Sequence, residues 1–409
     1  MELFHLFSIL LVLSAIFAYI NFRVVKLPGT IGLMAVSLFF SILILLSGQL
    51  LYPVKNMVAE MLIKIDFSEL LLEGMLSFML FAGAIQINYE DLKSEKLSIF
   101  LYSTVSVIIS TVIVGFSTYL LFSLFGVSIS LINTMLFGAL ISPTDPIAVL
   151  SILKSAGIRK SLETKIAGES LFNDGVAVVV FLTILQLAKP GAELDAGNIL
   201  LLFGQEAVGG VILGIILGFL GFKLFSSIDN YKIEVIITLA IVMGGYTLAH
   251  YIHVSGPLAM VIAGLITGNR GKSLGMSEIT AEYVDKFWEL IDEILNTLLF
   301  VLIGMELLII RTNFIIIIIA VILIIVILAT RFISVWLPSV VIRLKEKIPR
   351  STLIILTWGG LRGGISIALA LSIPDYLNKD ILVTVTYVVV CFSILVQGLT
   401  INKVAKTVR

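Results

Sequence analysis

Between Gly168 and Phe181 the chain places Glu169, Asn173 and Asp174 in a segment whose continuation is apolar enough to cross a bilayer. A charge at that depth costs from about 3 to over about 10 kcal/mol, and membrane chains keep one mainly where it handles an ion or a proton. The functional site is therefore expected to include Asp174.

Composition fixes the class around that segment. Hydrophobic residues make up 59% of the 409, charged residues 13%, and the mean hydropathy is +1.13. That leaves too little polar surface to cover a water-soluble globule of this size. The expected fold is an all-α polytopic membrane protein with the lipid bilayer as its solvent. A single cysteine, Cys391, excludes a disulfide framework and a multi-cysteine metal site. Three histidines without an HExxH pattern leave zinc chemistry unsupported, and no enzymatic activity, cofactor or nucleic-acid partner is expected.

At about 20 residues per crossing, hydrophobic spans fall at roughly 3–20, 28–47, 68–87, 97–125, 130–153, 164–188, 200–225, 231–251, 255–269, 291–310, 313–342, 351–373 and 381–402. That makes about thirteen. The first lacks a basic leader and a small-residue cleavage site, so it reads as a retained helix. Of the 27 basic residues, 20 lie in the loops after the odd-numbered spans, at the span ends that border those loops (Lys165, Lys223 and Lys232), and in the C-terminal tail. The opposite loops carry Lys55, Lys64, Lys189, Arg311 and Lys379, while Arg331 and Arg362 lie inside spans. The positive-inside rule then puts the N-terminus outside and the C-terminus in the cytoplasm, an odd number of crossings.

Thirteen spans divide into two six-helix halves around span 7, and an odd linker inverts the second half relative to the first. Inverted repeats of this kind bind their substrate at broken helices near the midplane. Span 5 contains Ser142-Pro143-Thr144-Asp145-Pro146, whose prolines remove amide donors; span 12 contains Gly359-Gly360-Leu361-Arg362-Gly363-Gly364. Both breaks fall at a similar depth in their halves. A broken helix exposes amides at one end and carbonyls at the other. Asp145 can neutralise the former and Arg362 the latter, either as structural counter-charges or as parts of the site.

On a helix Ser170 and Asp174 share one face, with Glu169 and Asn173 on the adjacent one. Freed carbonyls near Thr144, the Ser170 hydroxyl and the carboxylates of Asp145 and Asp174 make an all-oxygen cluster, which suits a hard cation. Desolvation disfavours a charged carboxylate, so near neutral pH Asp174 can hold a proton or a cation. Competition between them for one group is the simplest antiport mechanism. Glu169 is the better partner for Arg362 or Arg331.

The two break motifs, the Gly168–Gly175 stretch, and Phe287-Trp288-Glu289-Leu290 leading into Leu299–Leu307 together resemble the sodium/proton antiporters of the NhaP and NHE type, the first monovalent cation:proton antiporter family. The resemblance spans most of the chain. It implies transported Na+ or Li+ and H+, a homodimer in the cell membrane, a role in pH homeostasis, and an elevator-like cycle. The dimerisation domain would take residues 1–95 and 229–310, the ion-translocating core 96–190 and 311–409, and the linker helix 191–228. Residue by residue it implies Na+ binding by Asp174 and Asp145 through carboxylates, Thr144 through its carbonyl and Ser170 through its hydroxyl. Glu169 would contribute through water while pairing with Arg362, and Asn173 would hold the crossing together. The Asn173-Asp174 pair marks the electroneutral branch, one cation for one proton. Arg331 matches a membrane arginine with a structural or modulating role. The long regulatory tail of animal members is not expected, since the sequence ends seven residues after Asn402.

Other residues carry weaker readings. Glu73 and Glu234 could tune the pH response or serve in pairing and interfaces. His250 and His253 could sense pH or simply sit in a surface loop. Residues 277–290 read as an amphipathic helix on the cytoplasmic surface, and 53–66 as its external counterpart. Gly209, Gly210, Gly214, Gly218 and Gly221 in span 7 read as close helix packing. Potassium in place of sodium is the alternative that the ligand types leave open. An intramembrane aspartyl protease lacks its Gly-x-Gly-Asp motif here, and a channel lacks a filter-like loop.

Overall fold

A computed structural model of the chain describes residues 2–48, 52–64, 69–155, 157–190, 196–310, 313–344 and 348–407. Arg311, residues 65 and 66 and the side chain of Glu73 lie outside the described residues. Apart from one isolated backbone bridge, every regular element described is helical. Lipid offers no water to an unpaired amide or carbonyl, so a crossing segment must bond its backbone within itself.

The chain begins with α1 (Glu2–Ile20, continuing in wider turns to Val25), α2 (Gly29–Leu46), α3 (Tyr52–Lys64), α4 (Leu70–Ile85) and α5 (Tyr89–Ser94). The long α6 (Lys96–Leu124) leads into two half-helices, α7 (Leu131–Ile141) and α8 (Ile147–Ser155), and then α9 (Lys160–Leu187). After α10 (Ala196–Phe225) come α11 (Tyr231–Tyr251), α12 (Gly256–Ile266), α13 (Glu278–Glu306) and α14 (Phe314–Ile342). A second pair of half-helices, α15 (Arg350–Trp358) and α16 (Gly364–Leu371), precedes α17 (Lys379–Thr407).

Among the described residues, eight helices are individually long and apolar enough to cross a membrane. The other five expected crossings miss that standard for separate reasons. Spans 5 and 12 are broken into halves, α4 and α12 are short, and α13 is charged over its first half. Helix α13 corrects one expectation. Residues 277–290 form no separate surface helix, because they are the first half of a continuous 29-residue α13 capped by Ser277. Val284 and Trp288 are fully buried. Trp288 stacks near Phe78 and Phe81 of α4 and donates its indole N–H to Thr238 Oγ1 at 3.0 Å. The charged face seen in the sequence is real, but the opposite face is core.

Small and hydroxyl-bearing residues set the helix contacts that frame the site. Ser106 Oγ donates to the Ser334 carbonyl at 2.5 Å and Tyr102 meets Ser339 at 2.7 Å, joining α6 to α14. Ser41 Oγ donates to the Gly304 carbonyl at 2.9 Å, joining α2 to α13. Along α10, a Cβ at Gly210 would lie 2.6 Å from the Ser255 carbonyl and one at Gly214 would lie 2.5 Å from that of Ala259. Helix α10 therefore packs backbone-close on α12, as the glycine stripe predicts.

Two alanine substitutions on the same helix should separate packing from propensity. Gly214→Ala should destabilise by about 1–3 kcal/mol through overpacking. Gly204→Ala meets nothing within 4 Å and should be neutral or stabilising by up to about 1 kcal/mol. Thermal melts of the two variants in one detergent compare them directly.

Candidate functional site

The two breaks meet. Helix α7 ends at Ile141 and α8 begins at Ile147; α15 ends at Trp358 and α16 begins at Gly364. Pro143 and Pro146 lack the amide hydrogens that a continuous helix would need, and the first break pairs by its backbone with the second. There Asp145 N–H donates to the Leu361 carbonyl at 2.8 Å in an antiparallel bridge. The glycines of the second break make room: a Cβ at Gly363 would meet the Asp145 carboxylate at 2.5 Å, and one at Gly360 would meet the Arg331 guanidinium at 2.6 Å.

Charges then close the open helix ends. Arg362 Nη1 donates to the carbonyls of Ser142 (2.8 Å) and Pro143 (3.0 Å), the carbonyl end of α7. Arg331 Nε donates to the Leu356 carbonyl at 3.2 Å, the carbonyl end of α15. The Asp145 carboxylate faces Gly363, at the amide end of α16. The carbonyl ends of α7 and α15 and the amide end of α16 each thus meet a charge of the opposite sign. Two residues of α17 complete the second break. Ser393 Oγ accepts the Arg362 N–H (2.8 Å), and Gln397 Nε2 donates to the Trp358 carbonyl (3.0 Å).

Helix α9 lies alongside and delivers the remaining predicted residues. Asn173 Nδ2 donates to Thr144 Oγ1 at 2.8 Å, and Thr144 N–H donates to Asn173 Oδ1 at 3.4 Å, so Asn173 ties α9 to the first break. The Ser170 hydroxyl donates to the Thr144 carbonyl, which joins two of the four expected cation ligands. Asp145, Ser170 and Asp174 all line one cavity of about 470 Å³. Its other walls include Asn88, Asp91, Lys154, Lys160 and Glu163, and it ends at Gly363–Ser366. The cavity is a funnel running from a charged rim to the helix crossing. Among the described residues the Asp174 side chain makes no hydrogen bond or ion pair; it is half-buried in the funnel wall, where it feels the Asp145 carboxylate.

Glu169 is paired differently from the expectation. It forms its ion pair with Arg331, Oε1 to Nη2 at 2.6 Å, and not with Arg362. The Arg362 guanidinium is already committed to the α7 carbonyls, whereas Arg331 enters from α14 beside α9. Arg331 thereby ties α14 to α9 and to the end of α15. Of the weaker candidates, Glu234 is fully buried in the first turn of α11, and His250 and His253 are exposed at the far end of that helix. None of the three reaches the funnel.

Asp292 of α13 was missed by sequence reasoning, as were Ser393 and Gln397. Asp292 lines the same funnel as Asp145 and Asp174. Its signal was a carboxylate one turn beyond Trp288, masked by the charged stretch before it. Ser393 and Gln397 are the polar pair, four apart, within the apolar run of α17, a helical spacing that marks one face.

Removing one partner of a buried ion pair leaves the other uncompensated. Arg331→Ala should therefore destabilise by about 3–5 kcal/mol, and Glu169→Gln combined with Arg331→Met should recover most of the loss. Melting of the single and double variants tests this.

Comparison with known proteins assigns the family. The model of the transmembrane sodium/hydrogen exchanger family matches residues 11–407. The Na+/H+ antiporter NhaP of Pseudomonas aeruginosa is 47% identical over 401 residues, covering 97% of this chain and 95% of that protein. The Na+/H+ antiporter NhaH of Halobacillus aidingensis is 33% identical, covering 79% of each. The solved structure of the sodium proton antiporter MjNhaP1 from Methanocaldococcus jannaschii has the same fold, with a TM-score of 0.78 at 20% identity over 100% of this chain and 99% of that one. The protein whose helices cross at Asp145 and Leu361 belongs to the sodium/hydrogen exchanger family.

Proposed function

We propose that this chain is a secondary active antiporter exchanging Na+ or Li+ for H+ across the cell membrane, in service of pH homeostasis. The observation that carries the reading is the funnel that ends on Asp174 and Asp145 beside two broken helices. Relatives named as Na+/H+ antiporters support it.

The charge balance of the site gives the exchange its coupling. At the helix crossing, counted without Asp292 of the funnel wall, the carboxylates of Glu169, Asp145 and Asp174 are set against Arg331 and Arg362, which leaves one negative charge when all are ionised. One monovalent cation neutralises it, and so does one proton. Both loaded forms are then electrically alike, while the empty form carries an uncompensated charge that is costly to move through a water-excluded gap. The empty site cannot cross, and each crossing carries Na+ or H+. Na+ is held by the carboxylates of Asp174 and Asp145, the Thr144 carbonyl and the Ser170 hydroxyl. A proton arriving on Asp174 removes the charge that binds Na+ and releases it.

In this reading residues 96–190 and 311–409 form the moving core. Residues 1–95 and 229–310 form the dimerisation domain of a homodimer, with 191–228 as linker. The funnel opens to the cytoplasm, with the N-terminus outside.

In proteoliposomes an imposed Na+ gradient should drive proton movement reported by an internal dye, at a rate insensitive to a clamped membrane potential. Asp174→Ala should abolish it, and proton flux persisting in that variant would sink the site assignment. Acidification should raise the apparent KM for Na+ by up to about tenfold per pH unit while the site titrates. The maximal rate should be unchanged.

A further inference from the structure

Helix α13 carries Asp292, Leu299 and Glu306 at a spacing of seven residues. Seven residues are close to two turns, so the three lie along one stripe, with Asp292 and Glu306 about 21 Å apart along the axis. Asp292 and Leu299 line the funnel. Glu306 lines a separate pocket of about 240 Å³ beyond it, with Leu371, Lys379, Asp380 and Thr384. The short helix α16 separates the two spaces: Gly364–Ser366 line the funnel and Leu371 lines the pocket. Between them Leu299, 1% exposed, packs on Gly364 so closely that a Cβ there would meet its side chain at 2.5 Å.

Glu306 has no structural reason to be charged. It is the last residue of α13, where the helix presents partial negative charge and a carboxylate is disfavoured. It is 2% exposed, and among the described residues its carboxylate makes no hydrogen bond or ion pair. Lys379, in the same pocket, acts on it electrostatically, but the ion pair of Lys379 is with Asp375, at 3.9 Å. An unpartnered buried carboxylate lining a pocket that is half aliphatic and otherwise holds Lys379, Asp380 and Thr384 asks for a mobile cation.

We propose that the Glu306 pocket is a second, transient site for the transported monovalent cation. It is the vestibule through which Na+ reaches or leaves Asp174 and Asp145 on the face opposite the funnel. Glu306 and the Thr384 hydroxyl supply hard oxygen atoms, Lys379 is the resident cation that Na+ must displace, and Leu299 on Gly364 is the seal between vestibule and funnel. Asp292 is the matching carboxylate on the funnel side. The proposal rests on the antiport reading and adds a side-specific site to it.

The test uses the full-length protein in right-side-out and everted vesicles, with Na+ as the probe presented to one face at a time. Glu306→Gln should raise the apparent KM for Na+ about three- to tenfold on the pocket face and leave it unchanged on the funnel face. Lys379→Met should lower it on the pocket face alone. A KM that stays unchanged on the pocket face, or shifts equally on both, overturns the vestibule. If Glu306→Gln does not assemble, Lys379→Met decides alone: a fall on the pocket face supports the site, and any other outcome overturns it. Unmodified protein run in parallel separates the two claims, since absence of Na+-driven proton movement there overturns antiport itself.

Discussion

The structure depends on closing the helix ends that two broken helices open in the middle of a membrane. Each end exposes backbone groups that lipid cannot satisfy. Arg362 reaches across to the carbonyls of Ser142 and Pro143, Arg331 reaches from α14 to that of Leu356, and Gln397 reaches from α17 to that of Trp358. The exchange is reciprocal: the arginine of the second break caps the first, and the aspartate of the first faces the amide end of the second.

In the proposed antiport reading the same charges set what the site binds. Arginines needed to cap carbonyl ends bring positive charge to the centre of the molecule, and Glu169 offsets one of them through its ion pair with Arg331. Asp145 and Asp174 supply the remainder, leaving a deficit of one positive charge. In this account structural capping and transport stoichiometry are one electrostatic problem. The helix breaks create the need for arginines, and the arginines determine how many carboxylates a single Na+ or proton must balance.

Much of this was legible in the sequence because polar residues in apolar runs have few explanations. Asp174, the prolines around Thr144 and Asp145, and the glycines around Arg362 stood out for that reason, and in the structure Asn173 bonds to Thr144 and Arg362 to the α7 carbonyls. The partner of Glu169 was not legible, because Arg331 and Arg362 are equivalent cations until three-dimensional geometry commits one of them to the α7 carbonyls. The first half of α13 misled for a different reason. Its charged face looks like a surface helix, and only the burial of Val284 and Trp288 against α4 reveals the other face as core. Asp292 was hidden with it. Ser393 and Gln397 act through contacts from a helix distant in sequence, which spacing alone does not connect to the break.

The central claim is that Na+ and a proton exclude one another at a site of fixed charge, and proton release on Na+ binding tests it most directly. Purified protein in weakly buffered detergent solution, held at a pH where the site is protonated, is titrated with Na+ while the pH is recorded. The account predicts release of about one proton per chain at saturation, lost in Asp174→Ala. Saturable Na+ binding with no proton released would contradict it.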